Sequence, residues 1–220
     1  GICLVLGEDH MRKVLLGLAA SSAILVAGAA NAAVTVQYWV NQTAVAQNAT
    51  IANVTGLGTP SGTGSVSTFN FSTSNSPGTS IDTWLGISTG INGSHALDNT
   101  VFLFTGSTFL HAGVNNYTIE HDDGVQLSVG GISGFPLNAP GPTPPESTAF
   151  SITAPSAGNY SFTLSYGECC EGPAVLQILP GAGATPFGSP TPEPATWGLM
   201  LAGFGAMGAA LRSRRRLQTA

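Results

Sequence analysis

Short segments in which every second residue is apolar or aromatic recur along the middle of the chain. This alternation is the signature of β-strands with one buried face, and no stretch of residues 33–190 shows a sustained period of 3.6 residues. The sequence therefore predicts an all-β fold, an antiparallel β-sandwich of about eight to ten strands over residues 33–180. The clearest alternating sets are Val34, Val36, Tyr38 and Val40; Tyr160, Phe162, Leu164 and Tyr166; and Ala174, Leu176 and Ile178.

Three connecting segments carry their own predictions. Alternation on both sides of Asp122, Asp123 and Gly124 predicts a β-hairpin that turns at these residues. The proline-rich stretch 134–146 is expected to lack regular pairing. The Gly/Ala/Pro-rich stretch 181–190 is expected to be an extended linker that follows the sandwich.

Positive charge is confined to the two ends of the chain, and residues 33–190 contain no Lys or Arg. That stretch nevertheless holds several carboxylates, so it should repel nucleic acid and anionic membranes and leave oxygen ligands free for a metal ion. We expect no nucleic-acid partner. The carboxylates are Asp82, Asp98, Glu120, Asp122, Asp123, Glu146, Glu168 and Glu171.

The N-terminal segment has the order of a secretory signal peptide. Arg12 and Lys13 precede an apolar stretch over residues 14–27, and Ala30 and Ala32 fit a small-residue cleavage site. We expect signal peptidase to cut after Ala32, so that residues 1–32 are removed. Met11 is the expected true start, in which case Cys3 is absent from the mature protein.

The C-terminal segment combines Pro192, Glu193 and Pro194 with an uncharged run over residues 195–211 and a cluster of arginines. As a helix this run would reach about 25 Å, the short end of a transmembrane span. The positive-inside rule would hold the arginines in the cytoplasm. An ordinary membrane anchor is one interpretation of this pattern. The arginines are Arg212, Arg214, Arg215 and Arg216.

The same pattern, over residues 191–220, resembles the PEP-CTERM sorting signal. The resemblance implies that Pro192, Glu193 and Pro194 are processing residues for exosortase, a membrane protease that removes such tails. It further implies transient anchoring in the inner membrane, followed by delivery to the cell surface or extracellular matrix of a Gram-negative bacterium that makes exopolysaccharide.

A second resemblance begins at Val101. Residues 105–109, 117–119 and 122–127, with downstream segments at 157–160 and 173–176, are similar to the protective-antigen-type β-sandwich domain. This similarity implies a hairpin that closes the domain. In sugar-binding members, adjacent aspartates hold a calcium ion that bridges to a glycan, which implies that Asp122 and Asp123 are calcium ligands. The further ligands that those lectins take from a second loop have no matching position here.

The residues alone leave the role of Asp122 and Asp123 open. Asp-Asp-Gly suits a tight turn, because Asp caps turns and Gly tolerates positive φ. Adjacent carboxylates also suit Ca²⁺ when other oxygen atoms bring the ligand number to six or more, and Glu168 and Glu171 are candidates if the fold brings them near. Both a turn and a metal site remain.

Cys169 and Cys170 are the only cysteines of the expected mature chain. In an oxidising compartment the sequence predicts a disulfide between them, with an intermolecular link, free thiols or a metal-ligand role as alternatives. The flanking Glu168 and Glu171 disfavour a reactive thiolate.

Catalytic patterns are not found in the sequence. His95, His111 and His121 lack the spacing of helical metal ligands, and Gly-x-Ser-x-Gly is absent. The sequence therefore predicts a non-enzymatic protein. The two resemblances imply that it is an exported surface or matrix protein with calcium-assisted binding of exopolysaccharide or another glycan. Two alternatives are a structural biofilm protein without a ligand and a secreted glycan hydrolase.

Overall fold

The computed structural model describes residues 33–90, 92–189, 198 and 200–208. The predicted signal peptide with Ala32, the processing residues Pro192, Glu193 and Pro194, and the arginine cluster lie outside these ranges. In the tail, residues 198 and 200–208 are helical. None of the described helices is long and apolar enough to cross a membrane. The predicted transmembrane helix 195–211 falls partly outside the described residues and stays a prediction.

The fold is an antiparallel β-sandwich, as predicted. A six-stranded sheet has the order β2-β1-β4-β9-β6-β7 and a four-stranded sheet the order β3-β10-β5-β8. The strands are β1 (Val34–Trp39), β2 (Gly62–Val66), β3 (Asn70–Thr73), β4 (Thr100–Leu110), β5 (Gly113–Asp122), β6 (Val125–Val129), β7 (Leu137–Ala139), β8 (Glu146–Ala154), β9 (Gly158–Glu168) and β10 (Ala174–Pro180). Three short helices join them: α1 (Thr43–Ala46), α2 (Ile51–Thr55) and α3 (Ile81–Leu85).

The core lies between the two sheets and is rich in aromatic rings. The alternating residues of β1 and β9 point into it, and Val36, Leu164 and Tyr166 are fully buried. Trp84 of α3 stacks on Tyr166 with ring centroids 5.3 Å apart. Burying a side chain of this size stabilises the fold by about 1.5–3 kcal/mol. The predicted alternation thus reports the inner face of each sheet.

A smaller apolar cluster involves α1 and α2, which contact β4 and β9. It contains Trp39, Ala46, Val54, Val101, Leu103 and Cys169. The Thr50 side chain caps α2 by accepting a hydrogen bond from the Asn53 amide. Helices of four or five residues are little longer than one turn, so the sequence has no helical periodicity to reveal them.

The predicted hairpin at residues 122–124 is wrong. Strand β5 lies in the four-stranded sheet and β6 in the six-stranded sheet, so this segment carries the chain from one sheet to the other. The implied closing hairpin is wrong for the same reason, because β9 and β10 also lie in different sheets. Ile119 and Leu127 face one core from opposite sides, and alternation cannot distinguish that arrangement from pairing.

Two segments expected to be irregular are more ordered than predicted. Within 134–146, Leu137 is buried and β7 pairs with β6 at the edge of the sheet, where prolines are tolerated. Within 181–190, the expected linker, the Phe187 side chain is 4% exposed and belongs to the core. The Thr185 hydroxyl donates to the Phe109 carbonyl over 2.6 Å.

All ten strands and both apolar clusters lie in one compact unit, Asn31–Thr191. Residues 33–189 therefore contain a complete core and can be studied as a folded domain.

Candidate functional site

The topology brings two crossovers together at one end of the sandwich. Strand β5 neighbours β10 in one sheet, and β6 neighbours β9 in the other. The connection from β5 to β6, residues 122–124, is the first crossover, and the connection from β9 to β10, residues 168–173, is the second crossover. The Cys169 amide donates to Asp123 Oδ2 over 2.8 Å, which joins them directly.

Asp122 and Asp123 are buried in the first crossover, at 5% and 4% exposure, and the peptide bond between them is cis. Asp123 Oδ1 accepts a second hydrogen bond, from the Thr143 amide at 3.2 Å. The Asp123 carbonyl oxygen lies 2.7 Å from His121 Nδ1. Because a carbonyl oxygen only accepts, His121 Nδ1 carries the hydrogen in this pair.

Gly124 is required by close packing. A Cβ atom at this position would collide with the carbonyl group of Pro140. Any side chain would therefore push the first crossover away from the 140–143 segment, whose Thr143 amide binds Asp123.

The second crossover contains a disulfide bond between Cys169 and Cys170. Cys169 is buried, whereas Cys170 is exposed. The backbone φ angles of Cys170, Glu171 and Gly172 are 70°, 59° and 97°. The Glu171 amide donates to Asp98 Oδ1 over 3.1 Å. We call the two crossovers, together with Asp98, the corner.

Glu168 lies at the end of β9 with a fully buried side chain. Its Oε2 atom is 2.7 Å from the Tyr166 hydroxyl, which also contacts the Asp122 carbonyl oxygen. A hydroxyl group has one hydrogen, and a carbonyl can only accept it. Tyr166 therefore donates to Asp122, and Glu168 must donate to Tyr166, which requires a protonated carboxyl group.

The other oxygen of Glu168, Oε1, makes no hydrogen bond of standard geometry within the described residues. The Ser76 side chain lies beside this carboxyl group and interacts with it.

Burial raises the pKa of three carboxyl groups, those of Asp122, Asp123 and Glu168. Burial, with the negative charge of Asp123 in support, raises the pKa of Asp122 to about 7. Burial also raises the pKa of Asp123, against the opposing effect of the Cys169 and Thr143 amides. Burial also raises the pKa of Glu168, to about 9. Residues 33–189 contain no Lys or Arg to balance these groups.

The residues present fit a hard cation such as Ca²⁺. Asp122 and Asp123 would supply carboxylate oxygens, with Asp98 and carbonyl groups of the second crossover as further oxygen donors. The sulfur atoms of Cys169 and Cys170 lie within 4.8 Å of an Asp123 oxygen, but in a disulfide they are not thiolate ligands. An excess of buried carboxyl groups is the physical basis of this fit.

The structure brings some of the predicted site residues together and leaves others apart. Asp122, Asp123, Cys169 and Cys170 come together, whereas the Glu171 side chain is exposed and only its amide takes part. Asp98 was missed as a partner because no sequence pattern links it to residues far along the chain.

Several solved structures share this fold. The PA14 domain of MpAFP antifreeze protein is 17% identical, with a TM-score of 0.54, and the match covers 70% of this chain and 85% of that one. The PA14 sugar-binding domain from an RTX adhesin is 16% identical, with a TM-score of 0.54 and coverages of 70% and 93%. An anti-sigma factor domain-containing protein is 13% identical, with a TM-score of 0.50 and coverages of 74% and 48%. The middle of the chain thus has the same fold as these PA14 domains.

The tail of the chain matches a known sorting signal. Residues 190–216 match the PEP-CTERM protein-sorting motif, which marks the chain as an exported, exosortase-sorted protein. No curated protein matches the chain in sequence. The two resemblances predicted from the sequence are therefore confirmed, one for the sandwich and one for the tail.

Proposed function

We propose that the sandwich binds carbohydrate through a calcium ion held by Asp122 and Asp123. Binding would take place at the cell surface or in the extracellular matrix, after exosortase has removed the tail. The ligand class is exopolysaccharide or another glycan whose hydroxyl groups complete the coordination of the ion. One fold relative is a sugar-binding domain of an adhesin, which supports this class of ligand.

The observation that carries the proposal is the burial of two adjacent aspartates in a stretch without Lys or Arg. Buried charges are normally paired or coordinate a metal, because removing them from water is costly. The alternative of a tight hairpin turn does not account for them, since residues 122–124 connect two sheets. A divalent cation would balance both carboxylates at once.

Carbonyl groups of the second crossover are the proposed source of the further oxygen ligands. The Cys169 amide of this crossover orients the Asp123 carboxylate, and the backbone there runs beside the first crossover. Calcium takes six to eight oxygen ligands and accepts carbonyl groups and exchangeable water molecules among them. Sugar hydroxyl groups can replace such water molecules, which gives the ion its role as a bridge.

The test is the thermal midpoint of residues 33–189 with and without calcium. Calcium at 100 times its dissociation constant should stabilise the domain by about 2.7 kcal/mol, or roughly 5–10 °C. Asp122→Asn and Asp123→Asn should each remove the shift, while Glu120→Gln, on β5 but outside the corner, should keep it. A glycan array with calcium, and then with a chelator, identifies the sugar.

Two outcomes would contradict the proposal. No shift at millimolar calcium would favour a structural matrix protein in which these aspartates only shape the crossover. Turnover of a glycan by the purified domain, lost in a carboxylate variant, would favour a hydrolase instead. The non-enzymatic role stays a prediction until that assay is done.

A further inference from the structure

We propose that the disulfide between Cys169 and Cys170 positions the calcium site, and that opening it by reduction weakens calcium binding. The ring formed by these two residues holds the second crossover against Asp123. This inference rests on the proposed function, but part of it can be tested without any metal.

The proposal rests on the hydrogen bond between the Cys169 amide and the Asp123 carboxylate. The Cys169 amide donates to Asp123 Oδ2 over 2.8 Å, and the Thr143 amide donates to Oδ1 over 3.2 Å. Two amides therefore fix the direction of the carboxylate, and one of them belongs to the ring. Groups that orient a metal ligand in this way influence affinity without touching the metal.

Both cysteines of the ring are held by the rest of the domain. The Cys169 side chain is 1% exposed and packs in the cluster of Trp39, Val101 and Leu103. Cys170 is exposed, and its sulfur accepts a hydrogen bond from Gln47 Nε2 at 3.8 Å. The ring thus connects the outer apolar cluster to the corner that contains Asp123.

The backbone after Cys169 adopts a conformation that two non-glycine residues rarely share. Cys170 and Glu171 have φ angles of 70° and 59°, in the left-handed region that L-residues disfavour. Ring closure over one peptide bond restricts the torsions of both cysteines. Once the ring opens, Cys170 and Glu171 are free to return to negative φ, which moves the Cys169 amide and also the Glu171 amide that donates to Asp98.

The chemistry is ordinary thiol–disulfide exchange. A dithiol reductant transfers two electrons and two protons, the sulfur–sulfur bond breaks into two thiols, and the dithiol itself becomes a disulfide. Thiols stay reduced in the cytoplasm and pair in oxidising compartments. The well-ordered calcium site would therefore form only after export.

Residues 33–189 are suited to the test because Cys169 and Cys170 are their only cysteines. Calcium titration by calorimetry compares the oxidised domain, the same domain reduced with dithiothreitol, and the double variant Cys169→Ser/Cys170→Ser. We expect the last two to bind calcium about 10- to 100-fold more weakly than the oxidised domain. Dithiothreitol should leave the serine variant unchanged, which controls for effects of the reductant itself.

A metal-free measurement separates the two proposals. Hydrogen exchange of the Cys169 amide should accelerate on reduction, because its acceptor on Asp123 is lost. Equal calcium affinity in oxidised and reduced domains would overturn the inference, and so would an unchanged exchange rate. Failure of every form to bind calcium would instead remove the proposed function. Circular dichroism of each sample checks that the sandwich remains folded.

Discussion

Tyr166 and Glu168 project from the same face of β9, and their side chains meet with Tyr166 Oη 2.7 Å from Glu168 Oε2. Because Tyr166 gives its only hydrogen to the Asp122 carbonyl, this contact depends on a proton that Glu168 keeps. The neutral carboxylic acid of Glu168 therefore supports the backbone of the first crossover through Tyr166.

Replacing Glu168 tests this proton assignment. Glu168→Gln keeps a donor for Tyr166 and cannot ionise, so the free energy of unfolding at pH 8 should match or exceed that of the wild type. Glu168→Ala removes the donor and should cost about 1–3 kcal/mol. Urea denaturation in the presence of a chelator measures both. Equal losses in the two variants would contradict a protonated Glu168.

The metal-free domain should lose stability as pH rises. In the unfolded chain the carboxyl groups ionise near pH 4, whereas in the folded domain burial raises the pKa of Asp122 to about 7 and of Glu168 to about 9. Between these values the folded state binds more protons than the unfolded state. The free energy of unfolding is therefore highest below about pH 4 with respect to these groups and falls through pH 7 and 9.

Thermal midpoints from pH 4 to 9 in a chelator measure this slope. Asp122→Asn should flatten the portion near pH 7, and calcium should reduce the slope in the wild type. A midpoint that is constant or rises over this range would contradict the assigned shifts.

Gly124 and Gly141 form a matched pair for the packing of the first crossover. A Cβ atom at Gly124 would collide with the Pro140 carbonyl, whereas one at Gly141 would meet no atom within 4 Å. Gly124→Ala should destabilise the domain by about 1–3 kcal/mol, as overpacking usually does, and should weaken calcium binding. Gly141→Ala should change neither by a measurable amount. Chemical denaturation and calorimetry of both variants provide the check, and equal behaviour would show that the crossover yields easily.

Phe187 marks the true end of the sandwich. Its ring lies 4.8 Å from that of Phe162, centroid to centroid. Phe187→Ala should lower the free energy of unfolding by about 3–5 kcal/mol. Leu179→Ala, at a side chain that is 48% exposed, should cost less than about 0.5 kcal/mol. Urea unfolding distinguishes them, and a similarly small loss at Phe187 would restore the interpretation of 181–190 as a linker.

The sorting tail is tested in cells. Deletion of residues 195–220 should send the protein to the periplasm or medium without the exosortase-dependent change in size. Glu193→Ala, inside the matched motif at 190–216, should leave an uncleaved form in the membrane fraction. Immunoblots of fractions with and without exosortase report both. Identical sorting and size for the truncated chain would contradict a role for the tail.

The sequence pattern predicted where the strands lie but not which strands pair with each other. Alternation in β1, β5, β6, β9 and β10 marks one buried face per strand, and that face is where each strand meets the core. Which sheet a strand joins depends on contacts between segments distant in sequence, such as Asp122 with Val175. A local pattern therefore suggested a hairpin where the chain changes sheets.

The candidate site was predicted in the same partial way. Asp122 and Asp123 stand together in the sequence, so they were found, but the contact of Asp123 with Cys169 joins residues 46 positions apart. Asp98 was overlooked because its contact with Glu171 runs through a backbone amide, which leaves no trace in residue type. Phe187 was overlooked because a single aromatic residue among Gly, Ala and Pro has no periodicity to report its burial.

The absence of Lys and Arg from residues 33–190 affects how proteases can degrade the exported protein. Trypsin-like proteases cut after these two residues, so they find no cleavable bond in the sandwich, even in molecules that have unfolded. Resistance to such enzymes therefore follows from the amino-acid composition of the domain and does not depend on its stability. A tryptic digest would release the whole sandwich within one long peptide.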